Sequence, residues 1–303
     1  MIERIVIAIP TYKRPLSLKR LLDAIGRLNT KYDVTVVVAD NDAEGQEGFH
    51  LCARMASAYR WPLRSVIAAE RGIAQVRNVL VEQALADGKA AFVAMIDDDE
   101  WPESGWLDEF LKAQRHTGAD VLQGSILFDH DGDGPPPVPD IRRTTGPADM
   151  LQGAGNLLIK RAVLDGMARP WFDPAFALTG GEDYEFFTRL AKAGTRFAWA
   201  DAARAHGDIP AIRRELSWQL TRAYSTGNSD MRVLLKHAPG AGMLLRESVK
   251  IASALLLSAP LAAILALSPN RRLAPLQKLF RAAGKLAAMT GRPYNEYSTV
   301  HGE

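Results

Sequence analysis

A single cysteine, Cys52, stands in 303 residues, so the chain can form no internal disulfide. That fits a reducing compartment and leaves Cys52 as a small core residue. No Gly-Lys-Ser or Gly-Lys-Thr occurs, which removes the phosphate cradle of P-loop kinases and ATPases. A dinucleotide fingerprint is missing as well. Gly153-Ala154-Gly155 lacks a third glycine and does not follow the first strand, and it reads as close backbone packing. The N-terminus, Met1-Ile2-Glu3-Arg4 before a short apolar run, is too acidic and too brief for a secretory signal, so the start of the chain is expected in the cytosol. Excess positive charge is scarce where nucleic acid would need it. The net charge is +2, but from Gly242 onward there are eight Lys and Arg against three Glu. The first 241 residues therefore carry −3, whereas a nucleic-acid binder puts its positive stripe on the folded domain. With 47% apolar and 24% charged residues the chain is not disordered, and its length suits one large domain or a domain plus an appendage.

What is present is a charge cluster at the end of an apolar run. Ala90-Ala91-Phe92-Val93-Ala94-Met95-Ile96 stops abruptly at Asp97-Asp98-Asp99-Glu100, which predicts a buried strand delivering carboxylates at its C-terminal end. Two like charges about 6 Å apart repel by roughly 3 kcal/mol at an effective dielectric of 20. Three aspartates beside an apolar strand therefore call for a cation. A solvated turn with an Asp helix cap is the plainer alternative, but one Asp would serve for that. Ligands that are all oxygen point to a hard ion, Mg²⁺ or Mn²⁺, shared with a phosphate-bearing substrate.

Strands and helices alternate around this stretch. Ile5 to Ile9 is a β-branched run ended by Pro10, Thr11 to Pro15 a loop, and Leu18, Leu21, Leu22, Ile25 and Leu28 recur at helical spacing. Val34 to Ala39 is a second strand that stops at Asp40-Asn41-Asp42. Helix over 51–59, strand over 64–69 and helix over 73–85 follow, the last closed by Gly88. Such alternation implies a mostly parallel sheet with helices on both faces, and ligands bind such sheets beyond the carboxyl ends of the strands. Thr11, Asp40 and Asp97 to Asp99 all fall there.

The remaining elements are a helix from Trp106, a strand over 121–128 and a strand at Leu157-Leu158-Ile159. Asp129 to Asp140 resembles the start of a calcium loop, but Pro135, Pro136 and Pro137 disagree with an EF-hand, and a mobile acidic loop is the better reading. Thr179-Gly180-Gly181-Glu182-Asp183 leads into a helix over 184–193 that ends at Gly194. Glu182 and Asp183 are either an ordinary acidic cap or functional groups that the two glycines let a substrate approach. A strand over 196–199 precedes His206, expected in the segment after it, and a helix is expected from Arg213 and Arg214, which could hold a leaving diphosphate.

The tail differs in kind. Residues 251–270 carry no charge, about the length of one bilayer crossing of roughly 30 Å, with Pro260 in the middle. The more basic flank, Arg271, Arg272, Lys278, Arg281 and Lys285, would lie on the wrong side of a single span if the body is cytosolic, and a shallow hairpin bent at Pro260 avoids that. Leu276, Leu279, Phe280 and Leu286 opposite the basic residues form an amphipathic helix suited to anionic headgroups. A helical pair buried on the body or on a second subunit is the alternative.

Ile9-Pro10-Thr11-Tyr12-Lys13-Arg14, Val38-Ala39-Asp40-Asn41-Asp42, Ala74-Gln75-Val76-Arg77-Asn78, Asp97-Asp98-Asp99-Glu100, Gly181-Glu182-Asp183 and His206 to Pro210 together resemble the inverting glycosyltransferases of family 2, over roughly residues 3–230. Ala39 to Glu44 with the later acidic motifs is most similar to the glucosyltransferases of succinoglycan-type exopolysaccharide assembly. Gly207-Asp208 departs from the pattern, since relatives often carry Glu before Pro there. The resemblance implies a GT-A catalytic domain over 1–230, and the apolar, basic tail itself marks 231–303 as a helical membrane-association region. The resemblance also implies that Pro10, Thr11, Arg14, Asp40, Asp42, Arg77, Asp97 and Asp98 bind the nucleotide sugar and that Asp99, with His206, ligates Mg²⁺ or Mn²⁺. Asp183 would be the base, with Glu182 beside it. UDP-glucose heads the expected donors, a lipid-linked saccharide is the expected acceptor, and residues 243–290 would hold the enzyme on the cytoplasmic face of the cell membrane. No nucleic-acid partner is expected. A nucleotidyltransferase, a glycosidase using Asp99 and Asp183, and a non-catalytic membrane-associated nucleotide-binding protein are the other readings.

Overall fold

The computed structural model describes residues 3–129, 142–266 and 269–296. The calcium-like stretch beyond Asp129 falls outside them. The chain forms two compact units, one of Met1–Pro174 with Phe186–Ile209, the other of Ala175–Glu185 with Pro210–Gly302.

The first unit opens with the alternation the apolar runs dictate: β1 (Arg4–Thr11), α1 (Pro15–Gly26), β2 (Asp33–Asp40), α2 (Glu47–Met55), β3 (Leu63–Ile67), α3 (Ile73–Leu85) and β4 (Phe92–Met95). These strands pair in parallel in the order β3-β2-β1-β4. Both faces are covered, so Ile5 through Ile9 are fully buried, which is why these strands read as continuous apolar runs. On α1, Leu18, Leu21, Leu22 and Ile25 are fully buried, each contributing about 2 kcal/mol by burial. Pro10 does not end β1, which runs on to Thr11 in register with β2: pairing with β4 stops at Ala8, and the missing N–H of Pro10 falls on that side, past the last β4 pair.

Beyond β4 the sheet is mixed. The chain continues through β5 (Glu100–Pro102), α4 (Trp106–Thr117), β6 (Val121–Asp129), β7 (Gly146–Ala148), β8 (Leu157–Lys160), α5 (Arg161–Asp165), α6 (Glu182–Lys192) and β9 (Phe197–Asp208). β8 is antiparallel to both β4 and β6, β9 is parallel to β6, and β5 and β7 are antiparallel to β9. The expectation of a parallel sheet thus holds for its first four strands and gives way where strand–helix alternation ends. His206 is also not after a strand but within one. β9 has twelve residues, because Ala203, Ala205 and Gly207 face inward while Arg204, His206 and Asp208 face outward. Alanine and glycine carry little strand signature, so the alternation is invisible to hydropathy.

The second unit is helical: α7 (Leu216–His237), α8 (Ala241–Ile264) and α9 (Pro269–Met289). The helix expected from Arg213 begins instead at Leu216, after a single 3₁₀ turn over Ala211–Arg214. α7 runs unbroken through residue 230. α7 and α9 meet through glycines: a Cβ on Gly227 would lie 2.1 Å from the Arg281 carbonyl, and one on Gly284 would lie 2.0 Å from that of Tyr224. α8 packs along α9 and is long and apolar enough to cross a membrane by length and composition, with Pro260 inside it.

Candidate active site

Register explains where the polar groups meet. Thr11 lies opposite Asp40, while β4 ends opposite Ala8, so β1 reaches three residues past the end of β4, alongside the aspartates that follow it. The Thr11 hydroxyl donates to Asp98 Oδ2 at 2.8 Å. Lys13 takes a left-handed backbone (φ 55°), and the tight turn places Arg14 at the N-cap of α1. From there its Nη1 reaches Asp98 Oδ1 and Asp99 Oδ2, each at 3.2 Å. Buried Arg77 on α3 donates from Nη2 to Asp97 Oδ1 at 3.1 Å and lies over the Phe172 ring. Thr11, Arg14, Arg77 and the three aspartates are therefore one cluster.

Burial alternates along it. Asp97 and Asp99 are half-exposed, whereas Asp98 and Glu100 are buried. Burial, reinforced by Asp99, pushes the Asp98 carboxyl up to about 7 against the opposing pull of Arg14 and the Thr11 hydroxyl. Burial and then the charges of Asp97 and Asp99 push Glu100 well above the usual carboxylate range. Asp97, Asp98, Asp99 and Glu100 crowd together beside Arg14 and Arg77, and carboxylates so close suit a further cation.

Whether a divalent ion fits can be judged from the donors. Glu100 Oε2 is buried without a hydrogen-bond partner. Gly155 backs onto the carboxylates, since a Cβ there would meet Glu100 Oε1 at 2.7 Å and Asp97 Oδ2 at 3.2 Å. Among the described residues no three His, Cys, Asp or Glu are gathered as a complete metal cage. Mg²⁺ and Mn²⁺ held by one or two carboxylates and substrate phosphates need no such cage. The carboxylate oxygens of this cluster fit such an ion, completed by its ligand.

Asp40 and Asp42 reach the end of β2 but are buried, and Asp40 is committed to its own loop: its oxygens accept the backbone N–H groups of Asp42 at 2.9 Å and Phe49 at 3.0 Å. Lys13 approaches Asp42 at 4.0 Å. His206 sits opposite Trp101 on β5, with the rings stacked at 5.9 Å and its Nε2 3.3 Å from Glu103 Oε1. Glu182 and Asp183 occupy the first turn of α6 in the segment that belongs to the helical unit; Glu182 is buried and Asp183 half-buried, its Oδ1 accepting the Tyr184 N–H at 2.7 Å. Buried Cys52 takes no part, because burial and the charge of Asp40 push its thiol up to about 12.

Three further residues shape the cluster in ways the sequence does not assign. Asn41 staples β2 to the loop before α3, donating to the carbonyls of Ala68 and Glu70 and accepting from Gly72 N–H. Its place between two aspartates was the only signal. Gly155 does pack closely, as the run Gly153-Ala154-Gly155 predicts, but against the side-chain carboxylates of this cluster. Asn78, beside Arg77, clasps the Phe172 backbone in both directions, at 2.7 and 2.8 Å.

The sequence model of the family described as Glycosyl transferase family 2 matches residues 6–170. Succinoglycan biosynthesis protein ExoM of Rhizobium meliloti (strain 1021) is 29% identical over 260 residues, spanning 82% of this chain and 79% of that protein. Among solved structures, residues 1–349 of S. aureus TarS in complex with UDP give a TM-score of 0.53 at 17% identity, covering 96% of this chain and 93% of that one. The mannosyltransferase PcManGT from Pyrobaculum calidifontis, in complex with GDP-Man and Mn²⁺, gives 0.63 at 18% identity, covering 95% and 88%. At such identities the structural likeness speaks for the fold alone.

Proposed function

Because this chain belongs to glycosyl transferase family 2 and has the GT-A fold, we propose that it moves a hexose, glucose first among the candidates, from a nucleoside diphosphate to a hydroxyl of a lipid-linked saccharide, with inversion. The observation that carries this reading is the convergence of Thr11, Arg14 and Arg77 on Asp97, Asp98 and Asp99 at the carboxyl ends of β1 and β4. The relationship to ExoM supports a role in exopolysaccharide synthesis, and neighbours solved with UDP and with GDP-Man support a nucleotide-sugar donor.

In this mechanism Arg14 and Arg77 bind the nucleotide side of the donor, held in place by Asp98 and Asp97. Pro10, Thr11, Asp40 and Asp42 shape the loops around it. Asp99, with His206, would hold Mg²⁺ or Mn²⁺, which when bound neutralises the diphosphate leaving group. Asp183, with Glu182 beside it, takes the proton of the acceptor hydroxyl as that oxygen attacks the anomeric carbon and the nucleoside diphosphate departs from the opposite face. Such a base contributes about 10²–10⁴-fold. The exposed apolar surface of α8 and the basic residues of α9 support a place on the cytoplasmic membrane face, where a lipid-anchored acceptor is met.

A panel of nucleotide sugars assayed with Mn²⁺ and a lipid-linked saccharide extract tests the reaction. Asp183→Asn should lose transfer by at least about 10²-fold while still binding UDP. Unchanged transfer would remove Asp183 as the base, and release of pyrophosphate instead of nucleoside diphosphate would make the protein a nucleotidyltransferase.

A further inference from the structure

The helical unit contains a group of contacts between α7 and the segment Ala175–Glu185 that bilayer association does not require. Ser229, Arg232 and Lys236 fall at helical spacing on one face of α7, and all three engage that segment. Arg232 donates to the Thr179 hydroxyl and, from Nη2, to the Ala175 carbonyl at 2.7 Å, while its guanidinium lies 4.5 Å over the Phe176 ring. Ser229 Oγ donates to the Thr179 carbonyl at 3.2 Å. Glu185, fully buried, accepts from Lys236 and lies 2.9 Å from His237 Nε2. Between these anchors Gly180 and Gly181 both take left-handed backbone, φ 72° and 88°, and a Cβ on Gly181 would lie 2.7 Å from that of Ser229. Glu182 and Asp183 follow directly.

We propose that α7 is the positioning element for Asp183, with Arg232 as its principal residue. The inference rests on Asp183 being the base. A turn of two left-handed glycines has little preference of its own for one conformation. Three side chains from one rigid helix, anchoring the segment on both sides of that turn, fix where its carboxylate points. α7 is held in turn by its glycine crossing with α9, and Asn228 donates to the carbonyls of Gly284 and Arg292. Arg232 touches no reacting atom in this account. Its contribution is the placement of a base for which a displacement of about 1 Å costs about 10²-fold in rate.

The test uses the full chain with UDP-glucose, Mn²⁺ and a lipid-linked saccharide extract. Arg232→Ala, Gly181→Ala and Asp183→Asn are compared by kcat, donor KM, UDP affinity and amide hydrogen exchange over 176–184. Arg232→Ala should lower kcat by about 10²-fold, leave donor KM and UDP affinity at wild-type values, and speed exchange in 176–184. Arg232→Lys, which can keep one of the two contacts, should fall between it and wild type. Gly181→Ala attacks the same packing from the loop and should reproduce the split, and retained UDP binding reports that the sheet unit is folded. Wild-type kcat in Arg232→Ala beside an inactive Asp183→Asn overturns the positioning role alone. Full transfer by Asp183→Asn overturns the base reading and, with it, the reason for the clamp.

Discussion

Gly155 shows how much a single missing side chain can matter. A Cβ there would meet the carboxylates of Glu100 and Asp97 at 2.7 and 3.2 Å, so Gly155→Ala must displace them. Overpacking of this kind costs about 1–3 kcal/mol. UDP affinity, measured by calorimetry, should fall about tenfold with little change in secondary structure. The aspartates themselves were legible because three charges after an apolar run have no comfortable structural use. Asn41 and Asn78 were not legible, since an asparagine that bonds backbone groups brought together by tertiary structure looks like any other turn residue. Asp40, at a strand end, also builds its own loop, its oxygens accepting the N–H groups of Asp42 and Phe49.

Among the elements, the first four strands and their helices follow from hydropathy, because strands buried on both faces read as unbroken apolar runs. β9 does not, because Ala203, Ala205 and Gly207 fill its inward positions. That strand is fixed at its start by Asp120, which precedes β6 and binds Arg196 Nε at 3.2 Å and Lys160 Nζ at 3.0 Å. Burial pushes the Asp120 carboxyl up, but the hydrogen bonds from Arg196 and Lys160 outweigh it and hold it at about 2, against an ordinary 3.8. A folded value below the unfolded one stabilises the protein above about pH 4, and that contribution is lost as the pH falls toward 2. After discounting for the exposed Arg196, it amounts to about 1–2 kcal/mol. Asp120→Asn should therefore lower the melting temperature by a few degrees at pH 7, with the difference from wild type shrinking steadily between pH 4 and pH 2 in calorimetric scans. A difference that stays constant over that range would exclude the charged pairing as its cause.

For the molecule as a whole, composition already separated a slightly acidic body from a basic, apolar tail. The helical unit carries that tail, and α8 leaves Leu256, Leu257 and Ile264 exposed at 75%, 70% and 78%. Contiguous exposed apolar surface of this kind marks a contact with lipid or protein. We expect the 303-residue chain to float with vesicles containing anionic lipid and Leu256→Glu/Leu257→Glu to remain in the soluble fraction with an unchanged melting temperature. Equal flotation of both would place the bilayer contact elsewhere. What composition and motif could not give was the sugar, because pocket shape decides it.

The central claim is that the carboxylates after β4 receive a divalent ion together with a nucleoside diphosphate. Calorimetric titration of UDP into the full chain tests it most directly, run with Mn²⁺, with EDTA, and with Mn²⁺ on Asp99→Ala. The account predicts binding with Mn²⁺ that weakens by at least about tenfold, or 1.4 kcal/mol, in both other conditions. UDP binding of equal strength in all three would contradict it.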